Sequence, residues 1–163
     1  MAMELWVLSN KQLGSIAEWQ AAIDAEGFPL ALSGERSFTE INGFVPARLR
    51  GQTTGFECNH WPAVRFMREM SAVDFGQAWK YVLAFRWRAN FTELRAAWIA
   101  GAAYARATDG VVLDDQEGKI RKAADAVETA RREYEAPDPV VGSSVDQVLR
   151  KLNLGPYGSK NGT

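Results

Sequence analysis

Tyr81-Val-Leu-Ala-Phe-Arg-Trp-Arg88 alternates with a period of two, placing Tyr81, Leu83, Phe85 and Trp87 on one side and Arg86 and Arg88 on the other. That periodicity is the mark of a β-strand with one buried face. The period then changes. Asn90 followed by Glu93 is a helix start, and Phe91, Leu94, Trp98, Gly101 and Ala105 recur at helical spacing as far as Asp109-Gly110. Val111-Val-Leu-Asp114 returns to strand. The passage predicts strand, capped helix, glycine stop and strand.

The same order occurs upstream. Leu5–Leu8 is a short apolar strand, and Ser15 with Glu18 forms a capping box ahead of Ile16, Trp19, Ala22 and Ile23. Gly27 supplies a stop before a second strand, Phe28–Leu32. Two β-α-β units predict an α+β fold with an antiparallel or mixed sheet of ferredoxin-like or split β-α-β type and helices packed on one face. Between the units, Val45–Arg50 and Phe56–Trp61 flank Gly51-Gln-Thr-Thr-Gly55 and predict a β-hairpin that extends the sheet.

Pro62–Met70 predicts a short helix, and Lys119–Glu135 a longer one ended by Pro137 and Pro139. Ser144 and Gln147 open a small amphipathic helix. The expected organisation is a single domain over residues 1–136, then a linker, that helix and a mobile tail over 137–163.

The composition bounds the function classes. With 163 residues, 47% hydrophobic and 24% charged, the chain suits one self-folding domain rather than a disordered one. A formal net charge of -1 gives no overall field for holding nucleic acid or an anionic membrane. The first residues lack the features of a signal peptide and no segment reaches the length of a membrane helix, so a cytoplasmic location is expected. Cys58 and His60 are the only residues of their kinds, which removes an intrachain disulfide and multi-histidine metal sites. No dinucleotide fingerprint, P-loop, nucleophile elbow or zinc helix occurs, so neither catalysis nor a cofactor or metal is expected.

Four groups of residues still carry possible chemistry. Cys58 and His60 lie two apart on a strand, as a thiolate and its base would, or as a packed Cys beside a hydrogen-bonded His. Asp114, Asp115 and Glu117 precede Gly118, an arrangement for a divalent cation or for a solvated turn. Arg48 and Arg50, like Arg86 and Arg88, share a strand face, to be neutralised by acids such as Glu57 or offered to an acidic partner. Of the tryptophans, Trp6, Trp19 and Trp98 fall on core faces, whereas Trp61, Trp79 and Trp87 lie around strand ends, where an exposed ring is a binding anchor.

Two segments, Gly43-Phe-Val-Pro-Ala-Arg-Leu-Arg-Gly-Gln-Thr-Thr-Gly-Phe-Glu-Cys58 and Ala102-Ala-Tyr-Ala-Arg-Ala-Thr-Asp-Gly-Val-Val-Leu-Asp-Asp115, resemble small bacterial immunity proteins of secreted toxin systems, type VI or polymorphic. The resemblance implies a cytoplasmic antidote that binds a cognate toxin, encoded by a neighbouring gene, and shields its active site. The family supplies no contact positions, so the expected partner-binding residues come from this chain: Arg48, Arg50, Glu57, Trp61, Asp114, Asp115 and Glu117. The competing expectations are a small-ligand or Cys/His-dependent enzyme domain and a homodimer formed through a free sheet edge.

Overall fold

The computed structural model describes residues 3–34, 37–88 and 90–137. In chain order these form β1 (Met3–Ser9), α1 (Ile16–Ala25), β2 (Leu30–Leu32), a 3-10 turn (Phe38–Glu40), β3 (Asn42–Leu49) and β4 (Gln52–Pro62). There follow α2 (Ala63–Glu69), β5 (Tyr81–Trp87), α3 (Phe91–Ala107), β6 (Val111–Asp114), β7 (Lys119–Lys122) and α4 (Ala123–Glu135). The strands make one seven-stranded sheet in the order β2-β3-β4-β5-β1-β6-β7. Every neighbouring pair is antiparallel.

The two capped helices form as their sequences require. The Ser15 hydroxyl accepts from the Glu18 amide while the Glu18 carboxylate reaches back to the Gly14 amide, closing the α1 capping box. Asn90 Oδ1 accepts from the amides of Thr92 and Glu93 at the start of α3. α3 is buried for most of its length because α1 and α4 flank it and the sheet lies beneath. Its alanines and Gly101 let it sit close to β1; a methyl group on Gly101 would come within 2.9 Å of Leu5 Cδ1.

Trp19 is the centre of this side of the sheet. Its ring meets Phe38, Phe56, Phe85 and Tyr104, and its indole N–H donates to the Ala100 carbonyl at 2.9 Å. Leu5, Val7, Val45, Ala47, Leu49, Leu83 and Phe85 complete the layer from the strands.

Several expectations need correction. The sheet is a seven-stranded antiparallel whole rather than two β-α-β units with a hairpin added. β5-α3-β6 does split around a strand, because β1 lies between β5 and β6, but β1 and β2 stand four places apart. The helices do not all pack on one side: α2 and the segment after it bury Phe66 and Trp79 against Trp6, Leu8, Val82, Ala84 and Leu113 on the opposite face.

Lys119–Lys122, expected as helix, is β7, and the helix begins only at Ala123. The hairpin turn is tighter than its glycines suggested. Leu49 pairs directly with Gln52, leaving Arg50 and Gly51 as a two-residue turn with φ of 52° and 78°. Two positive φ values match the right-handed twist of the strands it joins. The expected linker from residue 138 onward, with its helix and tail, lies outside the described residues.

Candidate functional site

The face that carries α2 is covered only at one end. At the other end β3, β4, β5 and β1 present an open surface, and strand register aligns one row of side chains across it. Phe44 stands opposite Glu57, Glu57 opposite Arg86, and Arg86 opposite Glu4. The Arg86 guanidinium chooses Glu4, at 2.6 Å from Nη2 and 3.0 Å from Nε to the same carboxylate oxygen. Glu57 has no ion pair among the described residues and is exposed, as is Arg88 beyond it. A shallow cleft of about 500 Å³ crosses this surface, edged by Phe44, Pro46, Glu57, Arg86 and Arg88.

Phe44 is 53% exposed, the most exposed aromatic ring among the described residues. Its position follows from Gly55, which pairs with Pro46 inside the hairpin rather than lying in its turn. A Cβ on Gly55 would collide with the Phe44 ring and the Val45 carbonyl, so glycine makes the notch in which the ring lies. Pro46, whose carbonyl accepts from the Ser33 amide, marks the end of the β2 ladder because it has no N–H to continue it.

The acidic turn after β6 forms a second polar region. Arg121 of β7 places Nη2 2.7 Å from the Glu117 carboxylate and 3.8 Å from that of Asp114, and Lys119 adds a contact to Glu117 at 3.4 Å. Burial of the Asp114 carboxyl raises its pKa, against the lowering effects of the Gln116 amide and Arg121. Asp115 is exposed and joins none of these contacts. No group of three or more metal-ligating side chains occurs among the described residues, so the turn is built around a guanidinium.

The seven expected partner-binding residues do not form one site. Glu57 lies on the open face, and Asp114 and Glu117 lie at the acidic turn. Arg48 donates to the Gly51 carbonyl. Arg50, placed by its turn rather than by a strand, lies 4.1 Å over the Tyr134 ring and donates to the Tyr134 carbonyl, so the two arginines do not share a face. Trp61 is 41% exposed and leans on Phe66 at the covered end. Trp79 and Trp87, which the sequence places around strand ends, are both buried and so are not exposed anchors.

Cys58 and His60 are structural. Cys58 is fully buried, and the surrounding apolar groups push its thiol pKa up, the reverse of what a nucleophile needs. The His60 ring stands edge-on to Phe38 with Nε2 3.0 Å from the Phe38 carbonyl.

Arg86 and Arg88 do share an exposed strand face beside Glu57, as the alternation suggested, whereas Phe44 and Glu4 went unpredicted as parts of that surface. For Phe44 the signal was present: it is the apolar residue out of phase with the inward Val45, Ala47 and Leu49. No family model, curated protein or solved structure matches the chain. Among the described residues no helix is long and apolar enough to cross a membrane.

Proposed function

We propose that this chain is an immunity protein that binds a cognate secreted bacterial toxin of a type VI or polymorphic system and neutralises it by covering the toxin's active site. The observation that carries the proposal is the open half-face: a surface crossed by a shallow cleft, with an exposed ring, a carboxylate that has no ion pair among the described residues, and two arginines. The thiol of Cys58 is buried in the core, and the half-buried His60 ring is held at the Phe38 carbonyl. A surface of this kind suits a protein partner, for which roughly 800 Å² per side with a few desolvated anchors is enough. The segment Gly43–Cys58, one of the two that resemble immunity proteins, supplies both Phe44 and Glu57 to it.

In this reading Phe44 is the apolar anchor, Arg86 is held ready by Glu4, and Glu57 and Arg88 set charge register with the toxin. The complex forms in the cytoplasm, with no cofactor, metal or nucleic acid. The full chain, offered the product of the adjacent gene, is expected to give a one-to-one nanomolar complex by calorimetry and to abolish that product's toxicity. Phe44→Ala and Arg86→Ala should each weaken the complex at least tenfold, about 1.4 kcal/mol. Failure to bind at micromolar concentrations, or a complex indifferent to both substitutions in folded protein, would overturn the proposal.

A further inference from the structure

The open half-face is made of strands whose backbones are already paired. β3, β4, β5 and β1 each have a neighbour on both sides, so a partner cannot add a strand to any of them. The two outer edges of the sheet are guarded. At β2 the Gln20 side chain takes the place of a further strand: its Oε1 accepts from the Leu32 amide at 2.7 Å and its Nε2 donates to the Leu30 carbonyl at 2.8 Å. At β7 a strand of only four residues begins and ends with an exposed lysine, a device that keeps edges from pairing. What remains is the face itself, where side chains make the contacts. The element suited to it is a helix, which satisfies its own backbone.

Register shows where such a helix would lie. On β4 the positions facing outward are Gly55, Glu57, Asn59 and Trp61, and the Phe44 ring lies over Gly55. Phe44 and Trp61 are the two most exposed aromatic residues among those described, and they stand at the two ends of this row. From Gly55 to Trp61 the strand runs about 20 Å, the length of about thirteen residues of helix. Between the rings lie the neutral Asn59 and the exposed Glu57, whose carboxylate has no ion pair among the described residues. α2 already covers the neighbouring stretch of the same face with Phe66, which the Trp61 ring meets edge-on. A partner helix would continue that layer.

We propose that the open half-face receives one amphipathic helix of the partner, with apolar residues about three turns apart on Phe44 and Trp61 and a basic residue between them on Glu57. The proposal rests on the reading that this surface binds a protein, and adds which kind of element binds. Trp61, which lies outside the cleft beside Phe44, becomes the second anchor.

The test uses the full chain and an alanine-rich peptide of about twenty residues, long enough to be helical in water. The peptide carries two leucines about three turns apart, with an arginine between them on the same face. A control of the same composition has the arginine and one leucine moved to the opposite face. On titration the indole N–H resonance of Trp61 is expected to shift, with the control binding about tenfold more weakly. Glu57→Lys, a change at an exposed position, should abolish the shift with the arginine peptide and restore it when glutamate replaces the arginine. Non-specific adhesion to the two rings would not give that exchange. No Trp61 shift at millimolar peptide, equal affinity for the control, or indifference to Glu57→Lys would overturn the helix site. Its fate is separable from that of toxin binding. Peptide binding without a complex with the adjacent gene's product would keep the helix site and remove the toxin reading; a complex without peptide binding would do the reverse.

Discussion

The two faces of one sheet are built on different terms. Under α1, α3 and α4, side chains from every layer interlock around Trp19, and the strands contribute a mainly apolar surface there. On the other face α2 and its following segment seal one end with Trp6, Phe66 and Trp79, and the strands run on uncovered past Ala84. The boundary is visible within β5, where Val82 and Ala84 are buried on the face that two residues later presents Arg86. Stability is thus concentrated on one side and at one end, which leaves the uncovered end of the second face free to change without endangering the fold.

Substitutions can break or sharpen that contrast. Trp19→Ala, which empties the middle of the covered face, is expected to cost about 3–5 kcal/mol in urea unfolding. A loss no larger than that of an open-face substitution would erase the distinction. Gly101→Ala tests how closely the helix layer sits on the strands; the new methyl meets Leu5 in a filled core and should cost about 1–3 kcal/mol.

Asp114 is tested by pH. Its folded-state pKa is raised above the ordinary value of 3.8, so its stabilising contribution is complete below the unfolded value and is lost as pH rises through the folded one. Asp114→Asn keeps an acceptor for the Gln116 amide and removes that dependence. Measured from about pH 4 upward, stability should shift progressively in favour of the variant relative to the parent. Arg86→Ala is the smallest change: its half-exposed ion pair with Glu4 should contribute less than about 1 kcal/mol to folding, whatever it does to binding.

Local chemistry was legible in the sequence wherever a period and a cap agreed. Tyr81–Trp87, the Asn90 cap and the Ser15 box produced β5, α3 and α1 with their starts intact. β7 was not, because Lys119-Ile-Arg-Lys122 runs into α4 with no turn residue between, and Ile120 fits either period. Strand order is a matter of pairings across long separations, which no local pattern encodes. The Arg50 turn was hidden for a different reason: hairpins of this type usually carry Asn or Asp before the glycine, and an arginine reads as strand.

The acids at Asp114 and Glu117 were readable as a cluster, but not their partner Arg121, which reaches them only once Lys119–Lys122 pairs with β6 as a strand. Phe44 shows the complementary case, in which the signal was local and needed only the phase of its own strand.

β1 is the earliest strand along the chain, yet it lies between β5 and β6, with Met3 opposite Trp87 and Leu8 opposite Val111. During synthesis it leaves the ribosome long before either neighbour exists. The β3–β4 hairpin can close at once through its two-residue turn, whereas Leu5, Trp6, Val7 and Leu8 must wait as an unpaired apolar strand until most of the domain has been made. Folding should therefore be limited by this late insertion rather than by helix or hairpin formation. The waiting strand is the segment that a nascent-chain chaperone would need to shelter.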